Sequence, residues 1–368
     1  MIKVLQVYDS IAVSSGVSSV LMSWLNNIKN REIKMDFLCC WKREPSYERD
    51  IIGLGSKVFY IESIDGISNY ISFIKKVKLF MEKYGHDYDI IHLHSSIFSY
   101  PILYYAKKYG ISERIVHVHS SSLGNRKLSE YRNLLSLYPM KIYANHYWAC
   151  SKEAAKVWYK GIDSNTIDII NNGIDISSFE RDPDSRRQFR YSWKIDGDTI
   201  VLGHISNMSN LKNVPFILRV LKEIIKINKN FKLVLIGKTT LPENIYNYIK
   251  ENNLENYVIN AGVSNCINKC IQAIDIGVMP SLSEGYGLVP IEFEAAGIPV
   301  LVSDGFPDII SSSFLAIKLE LDEKLWCRQI LELSKSQKIY EVKNSLDKFE
   351  ITRICKKVSE LYLSYIRR

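Results

Sequence analysis

Short apolar runs of β-strand length alternate with helix-length segments along the whole chain, and this alternation constrains the fold more than any other feature. Helix-length segments such as SSVLMSWLNNI and YPILYYAKKYG separate the runs of the first half. Runs rich in β-branched and aromatic residues that alternate with helices predict a mostly parallel sheet covered by helices. The runs of the first half are IKVLQVY, KMDFLCC, KVFYI, YDIIHLHS, ERIVHVHS and HYWACS.

The second half repeats the alternation. Its apolar runs are TIVLGHIS, FKLVLIG, YVINAG, IDIGVMP and PVLVSD. The segment PFILRVLKEIIKINKN carries apolar residues at helical spacing, as an amphipathic helix requires. These residues are Phe216, Val220, Ile224 and Ile227. Both halves are therefore predicted to be doubly wound α/β domains with mostly parallel sheets.

The length of 368 residues exceeds what one hydrophobic core usually serves, so we expect two domains. The turn dipeptide Asn172-Gly173 and the polar, charged stretch after it indicate the joint. We assign residues 1–180 to a first Rossmann-like domain and residues 181–349 to a second. The last segment, TRICKKVSELYLSYIRR, predicts an amphipathic helix. We expect residues 350–368 to pack back on the first domain.

Charge and cysteine content exclude several classes of protein. The formal charge of +8, from 48 basic against 40 acidic residues, is mild, and no basic tail indicates nucleic-acid binding. Seven scattered cysteines suit a reducing compartment, and Cys266 and Cys270 lack the second pair that a zinc site needs. No apolar run reaches the ~18 residues of a membrane span. Since MIKVLQVYDS resembles a first strand more than a signal peptide, we expect a cytoplasmic protein.

The stretch PSLSEGYGLVPIEFEAAGIPVLVSD, residues 280–304, follows the predicted strand IDIGVMP. Open α/β sheets bind ligands beyond the carboxyl ends of their strands. A short helix is predicted from Val289 to Ala296, with Pro290 in its first turn and Gly297 ending it. The free N–H groups and the positive dipole end of that helix favour an anion such as a phosphate.

Two carboxylates in this stretch, Glu284 and Glu292, suit contacts with neutral hydroxyl groups. Glu292 is predicted to lie in the first helical turn, whereas Glu294 lies about 200° further round the helix and must point elsewhere. A carboxylate beside a phosphate is repulsive, so we expect Glu292 to accept hydrogen bonds from ribose hydroxyls and Glu284 to do the same for a sugar. The alternative is that Glu292 only complements the helix dipole, and spacing alone leaves both interpretations open.

The spacing of Glu284 and Glu292 inside SEGYGLVPIEFEAAGIPVLVSD resembles the E-x7-E signature of retaining GT-B glycosyltransferases, specifically glycosyltransferase family 4. The resemblance extends over nearly the whole chain. SSGVSSVLMSWLNNI is similar to the glycine-containing loop and first helix of the capsular and exopolysaccharide branch. Other segments similar to landmarks of that branch are KMDFLCC, YDIIHLHS, RIVHVHSSS, WACSKEA, IINNGID and KNVPFILRVLKEI.

The resemblance implies transfer of a sugar from a nucleotide donor, usually a UDP sugar, to a saccharide acceptor in the biosynthesis of bacterial surface polysaccharides. It implies retention at the anomeric carbon, no cofactor and no need for a metal. The first domain would be the acceptor side, and the second would bind the nucleotide sugar across a cleft. The implied donor-binding residues are Gly16, Asn207, Lys212, Gly285, Tyr286, Gly287, Leu288 and Glu292.

Three side chains carry the implied chemistry. Glu284 matches the residue that holds the donor sugar, and Lys212 matches the lysine that neutralises the diphosphate as the leaving group departs. His119 matches the histidine that faces the reacting sugar. Alternatively, Lys212 is a solvated surface residue and Gly16 a plain turn glycine. On neighbouring strand ends, one or more further histidines are expected to be buried and hydrogen-bonded. These are His92, His94 and His117.

One departure from the family pattern concerns charge. The family usually has an arginine five residues before the lysine, but this chain has Asn207 there. Without a fixed guanidinium the diphosphate has less compensation, so we expect another cation, with Lys238 one candidate, or weak donor binding, or lost catalysis. The first loop also departs, with Ser15-Gly16 where a glycine pair is common.

Other classes of protein compete with this interpretation. A metal-dependent GT-A transferase would use a D-x-D motif, but Asp87-Tyr88-Asp89 precedes its strand and is expected to cap or solvate it. A nucleotide-sugar epimerase can share the architecture. A Rossmann oxidoreductase needs G-x-G-x-x-G after the first strand, which VYDSIAVSSG lacks. The principal alternative is a non-catalytic sugar-nucleotide-binding subunit that supports a partner transferase, suggested by Asn207.

The stretch from Gly124 to Tyr143 mixes basic and apolar residues. Such a stretch can lie on an anionic bilayer at the inner face of the cell membrane, near a polyprenyl-diphosphate-linked acceptor of the kind that similar enzymes often use. The alternative is an ordinary amphipathic helix whose leucines fill the core. Its residues of interest are Arg126, Lys127, Arg132 and Lys141, against Glu130, with Tyr131, Leu134, Leu135, Leu137, Tyr138 and Met140 between them.

Overall fold

The computed structural model describes residues 1–13, 15–30, 32–61, 67–94, 99–120, 127–311, 315–335 and 344–367. At 67–69, 127–132, 135–136, 309, 311 and 344–345 it describes the backbone alone. Contacts divide the chain into unit 1, Met1–Gly173 with Glu350–Arg368, and unit 2, Ile174–Phe349.

The boundary lies at residue 173, seven residues before the predicted one. The short turn Ile176–Phe179 belongs to unit 2 because side chains of that unit hold it. Gln272 Nε2 donates to the Phe179 carbonyl at 3.0 Å, and Asn268 Nδ2 donates to the Ser178 carbonyl at 3.1 Å. The C-terminal helix belongs to unit 1.

The strands in chain order are β1 Ile2–Tyr8, β2 Ile33–Cys39, β3 Val58–Tyr60, β4 Ile90–Leu93, β5 Glu113–Val118, β6 His146–Ala149, β7 Ile167–Ile169, β8 Ile200–Ile205, β9 Phe231–Ile236, β10 Val258–Gly262, β11 Ile276–Met279, β12 Val300–Ser303 and β13 Ala316–Leu319. Every pairing between these strands is parallel.

The helices in chain order are α1 Gly16–Asn27, α2 Glu48–Gly53, α3 Ile67–Tyr84, α4 Ser99–Lys108, α5 Lys127–Tyr143, α6 Lys152–Trp158, α7 Pro183–Ser192, α8 Val214–Ile227, α9 Glu243–Glu251, α10 Ile267–Cys270, α11 Leu288–Ala295, α12 Asp308–Ser311, α13 Glu323–Ser334 and α14 Ile351–Ile366. None of the helices in the described residues is long and apolar enough to cross a membrane.

The two sheets share one topology. Among the described residues, unit 1 has the order β3-β2-β1-β4-β5-β6-β7 and unit 2 has the order β10-β9-β8-β11-β12-β13. In both, the chain begins at a central strand, builds one side of the sheet and then crosses to the other side. The switch points, β1/β4 and β8/β11, are where doubly wound sheets bind ligands.

The predicted parallel α/β fold is therefore confirmed for both halves, but the sequence missed β7 and β13. Each is the last strand at one edge of its sheet, and every residue in both is only half-buried. A half-buried edge strand does not need the continuous apolar run by which buried parallel strands are recognised.

Helix α8 packs in the core of unit 2, as its spacing predicts. Phe216, Val220 and Ile224 are buried among residues of β8, β9 and α13. Ile227, which the same spacing assigned to the apolar face, is 68% exposed. It is the last residue of α8, so it lies beyond the surface that the helix buries.

Candidate active site

The loop between β11 and α11, residues 280–287, is held at the carboxyl edge of the unit 2 sheet by neighbouring loops. The backbone N–H of Leu282 donates to the Leu211 carbonyl at 2.7 Å, and that of Glu284 donates to the Gly305 carbonyl at 2.9 Å. A Cβ at Gly305 would collide with the Ser281 carbonyl oxygen, so only glycine permits this close approach. The loop is thereby fixed on both sides.

Gly287 ends this loop and sets the start of α11. Its φ of 81° lies in the left-handed region, and a Cβ there would overlap the ring of Phe306. Leu288 then becomes the first helical residue, one position earlier than predicted. Tyr286 is buried, with its ring edge-on to Phe349 at 6.3 Å between centroids.

Lys212 and Glu284 form an ion pair across the switch point of unit 2. Lys212 Nζ donates to Glu284 Oε1 at 2.6 Å, and Ser281 Oγ donates to the same oxygen at 2.6 Å. The Lys212 side chain is 22% exposed and that of Glu284 is 8% exposed. Lys212 closes the turn after β8, and Glu284 lies in the loop after β11, so adjacent strands bring the two predicted residues together. Lys212 is not a solvated surface lysine.

Glu292 lies in the second turn of α11, because the helix starts at Leu288. The prediction that it lies in the first turn is wrong, and the alternative that it only complements the helix dipole loses support, since that effect fades beyond the first turn. No described residue donates a hydrogen bond to its carboxylate. Burial raises the pKa of Glu292 to about 7. The group is therefore a desolvated carboxyl without a hydrogen-bond donor among the described residues.

Glu294 points to a different side of α11, as the helical spacing predicts. It is buried, and its Oε2 accepts a hydrogen bond from the Leu315 backbone N–H at 3.2 Å. This contact holds α11 to the segment that leads into β13. Glu294 is therefore structural, and it provides a matched comparison for Glu292 on the same helix.

Asn207 lies exposed in the loop after β8, where its Oδ1 accepts from the Ser209 backbone N–H at 3.1 Å. A Cβ at Gly237, the residue after β9, would overlap the Ser206 carbonyl oxygen, so these neighbouring loops touch. Lys238 follows directly, is exposed and forms no ion pair with any described residue. The asparagine thus stabilises a local turn, and an exposed cation lies in the adjoining loop.

His204, which the sequence did not single out, braces the loop that carries Asn207. Its Nδ1 donates to the Val278 carbonyl at 2.8 Å, and its Nε2 accepts from Ser206 Oγ at 2.8 Å. Burial lowers the pKa of His204 to about 4, so the ring is neutral at physiological pH. The side chain links β8 to β11.

In unit 1, His119 follows β5 and lies beside His94, which follows β4. His94 Nδ1 is 2.8 Å from His119 Nε2, and His94 Nε2 is 2.8 Å from Gln6 Oε1. The other ring nitrogen of His119, Nδ1, lies 3.2 Å from Asn172 Oδ1. Both nitrogens of His119 therefore have protein partners within unit 1.

This hydrogen-bonded chain continues into the interior of unit 1. Gln6 Nε2 donates to the Tyr362 hydroxyl of α14 at 3.0 Å, and that hydroxyl lies 2.6 Å from His92 Nδ1. Burial lowers the pKa of His119 to about 4 and that of His92, His94 and His117 well below the ordinary value. All four rings are neutral at physiological pH. The expected burial of His92, His94 and His117 is confirmed.

Three of these imidazoles, His92, His94 and His117, place one ring nitrogen each within 4.8 Å of the others. The His92 and His94 rings, however, stack at 4.1 Å with 27° between their planes, so their lone pairs do not converge on one point. Both nitrogens of His94 already have partners. The trio is therefore a poor ligand set for a metal.

Gly16 and the Asp87-Tyr88-Asp89 motif lie at opposite edges of the unit 1 sheet. Gly16 is exposed at the start of α1, and a Cβ there would meet no atom within 4 Å. The fold itself does not require glycine at this position. Asp89 Oδ2 accepts from the Lys3 backbone N–H at 2.8 Å, at the amino end of β4. The motif therefore ties strand starts together, away from the ligand-binding edge.

Comparison with known proteins agrees with the fold. The family model described as Glycosyltransferase Family 4 matches residues 14–178, and the model described as Glycosyl transferases group 1 matches residues 185–345. The first lies almost wholly in unit 1 and the second in unit 2. Together they account for most of the chain.

Relatives extend over nearly its full length. EpsF of Bacillus subtilis (strain 168), named as a glycosyltransferase, is 26% identical over 86% of this chain and 83% of its own. The UDP-Gal:alpha-D-GlcNAc-diphosphoundecaprenol alpha-1,3-galactosyltransferase of Escherichia coli is 22% identical over 96% of this chain and 94% of its own. The crystal structure of HepE from Anabaena with UDP and glucose superposes with a TM-score of 0.83 over 99% of this chain and 100% of its own, at 17% identity. The chain is thus a glycosyltransferase of the GT-B fold and belongs to family 4.

Proposed function

We propose that this enzyme transfers a sugar from a UDP sugar to a saccharide acceptor with retention of anomeric configuration. The acceptor belongs to a bacterial surface polysaccharide in the course of its synthesis. The observation that carries the proposal is the Glu292 carboxyl, which is desolvated, has no donor among the described residues and shares the carboxyl edge of one sheet with the Lys212–Glu284 pair.

A desolvated carboxylate without hydrogen-bond donors is stabilised most by a ligand that supplies hydroxyl groups. A ribose presents two neighbouring hydroxyls, which suit the two oxygens of Glu292. Hydrogen bonds to the ionised form would lower the pKa of Glu292 from about 7, so donor binding and proton release are coupled.

Lys212 would hold the diphosphate and Glu284 the donor sugar. An ammonium group has three N–H donors, and Glu284 takes one of them, so Lys212 can share its charge with a phosphate oxygen without leaving Glu284. The backbone N–H groups of residues 285–288, at the start of α11, lie on the same edge and suit an anion. Gly16 would allow phosphates to approach the start of α1.

In the proposed reaction the bond from the anomeric carbon to the diphosphate oxygen breaks. The acceptor hydroxyl attacks from the same face, and its proton passes to the departing diphosphate oxygen. Lys212 stabilises the negative charge that develops on that oxygen. His119 would contact a hydroxyl of the reacting sugar. The products are the extended saccharide and the nucleoside diphosphate.

Two relatives support the donor and acceptor classes. The Escherichia coli relative is named for a UDP-galactose donor and a diphosphoundecaprenol-linked acceptor, and HepE was crystallised with UDP and glucose. We extend a UDP-sugar donor and a polyprenyl-diphosphate-linked acceptor to this chain on that basis and on the chemistry of the site.

A panel of nucleotide sugars tests the donor. UDP-glucose, UDP-galactose, UDP-N-acetylglucosamine and GDP-mannose are compared by thermal shift, since a bound donor stabilises the fold in proportion to its affinity. The best donor is then incubated with saccharide acceptors, and product configuration is read by NMR. Binding without any release of nucleoside diphosphate would favour the non-catalytic binding subunit, and an inverted product would refute retention.

We propose further that transfer needs neither a cofactor nor a metal, because Lys212 and the helix N-terminus supply positive charge to the diphosphate. The purified enzyme should keep its activity in excess chelator. Loss of activity that Mg²⁺ or Mn²⁺ restores would refute metal independence and leave the rest of the proposal in place.

Contact with an anionic membrane is the final part of the proposal, and an apolar stripe on α5 supports it. Leu134, Tyr138 and Ile142 recur every four residues and are between 45% and 73% exposed, whereas Met140 is buried. The alternative that the apolar residues of this helix fill the core therefore holds only for part of it. Lys141 is exposed beside the stripe.

Further cations accompany the stripe. Lys107 and Lys108 are exposed at the end of α4, which packs against α5. Arg126 lies outside the described residues, as do the side chains of Lys127 and Arg132. Apolar groups that enter the interface, together with cations near anionic headgroups, suit the inner face of a bacterial membrane.

Co-sedimentation with vesicles tests the membrane contact. Vesicles of phosphatidylglycerol should retain the enzyme at low salt, and vesicles of phosphatidylcholine should not. Replacing Leu134, Tyr138 and Ile142 by serine should abolish retention, whereas replacing the exposed Ile71 and Leu79 of α3 should not. Equal loss with both sets of variants, or no binding by the wild type, would refute the stripe as a docking surface.

A further inference from the structure

When neutral imidazoles are hydrogen-bonded in a row, all of their hydrogen bonds must point in the same direction along the row. Each neutral ring has one N–H and one lone pair, so a ring that donates through one nitrogen must accept through the other. In unit 1 such a row runs from His119 through His94 to the side chain of Gln6. One member with a fixed orientation therefore decides which nitrogen carries the proton in every ring.

Gln6 is that member, because its surroundings distinguish its amide nitrogen from its oxygen. Its Nε2 lies 3.0 Å from the Tyr362 hydroxyl and 3.4 Å from Met35 Sδ. A thioether sulfur can only accept a hydrogen bond, so the NH₂ group of Gln6 must face it. Gln6 Oε1 consequently faces His94 and accepts from it. The residue is 1% exposed, so solvent does not offer an alternative partner.

The direction then follows along the row. His94 donates from Nε2 to Gln6, which leaves the lone pair on His94 Nδ1. That lone pair faces His119 Nε2 at 2.8 Å, so His119 carries its proton on Nε2. The remaining nitrogen of His119, Nδ1, therefore presents a lone pair.

The side chain of Asn172 lies against that lone pair, and a ligand can take its place. The Asn172 side chain makes no other hydrogen bond with a described residue, so the amide can turn to present NH₂ to His119 Nδ1. The separation of 3.2 Å is the longest in the row. His119 is also the outermost ring, half-buried at the carboxyl edge of the sheet. A ligand hydroxyl can therefore replace Asn172 at Nδ1.

We propose that Gln6 is a positioning residue that acts through His94 to hold His119 as the Nε2–H tautomer, so that Nδ1 accepts a hydrogen bond from a hydroxyl of the reacting sugar. The contact with the sugar rests on the proposed function. The tautomer does not, because it follows from contacts within unit 1. The sugar hydroxyl acts as the donor, which leaves its own oxygen free to accept from another group.

The tautomer is measurable without substrate. Long-range ¹H–¹⁵N spectra of the full chain labelled at histidine distinguish protonated from unprotonated ring nitrogens, and the His119→Asn variant assigns the His119 signals. The wild type should show His119 protonated at Nε2. In Gln6→Leu, which removes the acceptor of His94, a population protonated at Nδ1 should appear. Wild-type His119 protonated at Nδ1, or a Gln6→Leu spectrum identical to the wild type, would overturn the inference.

Activity provides a second readout. In Gln6→Leu the kcat should fall roughly tenfold, as expected for one lost oriented hydrogen bond, while the donor Kd stays within about twofold. Tyr365→Phe is the matched control, since Tyr365 lies on the same helix as Tyr362 and hydrogen-bonds to Trp148 and Asp168, neither of which belongs to the histidine row. It should leave both the tautomer and kcat unchanged.

Two further outcomes are decisive. Should Gln6→Leu fail to fold, the wild-type spectrum decides alone, with Nε2–H supporting the inference and Nδ1–H refuting it. A wild type that shows the Nε2–H tautomer but transfers no sugar from any donor would refute the proposed function and leave the tautomer inference in place.

Discussion

The switch points of the two sheets have the same topology but opposite chemistry. In unit 2 the strands β8 and β11 present an ion pair, Lys212 with Glu284. In unit 1 the strands β1 and β4 lead to Gln6 and His94, which belong to a row of uncharged, hydrogen-bonded groups. A doubly wound sheet therefore fixes where ligand-facing residues lie, whereas the side chains decide whether the edge acts through charge or through the direction of hydrogen bonds.

Removal of the cation from the ion pair of unit 2 should impair the enzyme most. Lys212→Met should reduce kcat/KM by about 10²–10³-fold, because it removes the cation that stabilises the departing diphosphate. Steady-state kinetics with the best donor measures this. Lys226→Met is the control, since Lys226 forms an equally short ion pair of 2.6 Å with Glu223 on exposed surface. A Lys212→Met enzyme as active as the control would show that unit 2 does not act through charge.

Two carboxylates on α11, Glu292 and Glu294, should respond differently to substitution. Glu292→Gln should raise the donor Kd by about tenfold, because an amide is a weaker acceptor for ribose hydroxyls than a carboxylate. Glu294→Gln should lower the thermal midpoint, since Glu294 holds the Leu315 N–H, but should leave Kd nearly unchanged. Titration calorimetry and thermal melts provide the two readouts. Equal effects of both variants on Kd would contradict the assignment of Glu292 to the ligand.

The pH dependence of stability should have opposite sign in the two units. The pKa of Glu292 is raised by burial to about 7, so the fold retains a proton that the unfolded chain releases, and unit 2 loses stability as pH rises from about 4.5 to 7. The pKa of His119 is lowered by burial to about 4, so unit 1 loses stability as pH falls through 6.5 towards 4. Each group contributes ~1–3 kcal/mol over its range.

Hydrogen exchange read by mass spectrometry resolves the two units. Glu292→Gln should raise the stability of unit 2 at pH 8 and change little at pH 4.5, whereas Glu243→Gln on the exposed face of α9 should change neither. Protection that falls with rising pH in unit 1, or a Glu292→Gln effect that is the same at both pH values, would contradict the opposite signs.

Substitutions at Asn207 and Lys238 test whether the proposed diphosphate site of unit 2 has room for a further cation, and their effects should be small. Asn207→Arg should tighten donor binding by about two- to fivefold, because it adds a guanidinium beside the diphosphate at the expense of one turn hydrogen bond to Ser209. Lys238→Ala should weaken binding if that exposed lysine already supplies the charge. Unchanged affinity in both variants would mean that neither position faces the diphosphate.

Sequence motifs singled out the charged residues of unit 2 more completely than the neutral, hydrogen-bonded residues of unit 1. Glu284, Glu292 and Lys212 belong to short motifs whose spacing is visible in one dimension, although the ion pair between Lys212 and Glu284 was not foreseen. It depends on the adjacency of β8 and β11, which only the sheet order provides.

The resemblance gave His119 a sugar-facing role, and burial was expected for His92, His94 and His117, but the hydrogen bonds that join His119, His94 and Gln6 to each other and to Tyr362 were not foreseen. These residues come from separate parts of the chain. Gln6 and Tyr362 are 356 residues apart in sequence. A signal was nevertheless present: Gln6 interrupts the apolar strand IKVLQVY, and a polar residue inside a buried strand needs a partner. The edge strands β7 and β13 were missed because a charged residue, Asp168 or Lys318, interrupts each short half-buried run, whereas the edge strands β3 and β10 were predicted from KVFYI and YVINAG.

The return of α14 to unit 1 has a consequence for biosynthesis. Tyr362 completes the interior of unit 1, yet the ribosome makes it after every residue of unit 2. Unit 2 can therefore finish folding while unit 1, although first in sequence, still lacks its last helix. Order of synthesis and order of completion are reversed in this chain, and the nascent unit 1 must keep its apolar surface from aggregating until residues 351–366 arrive.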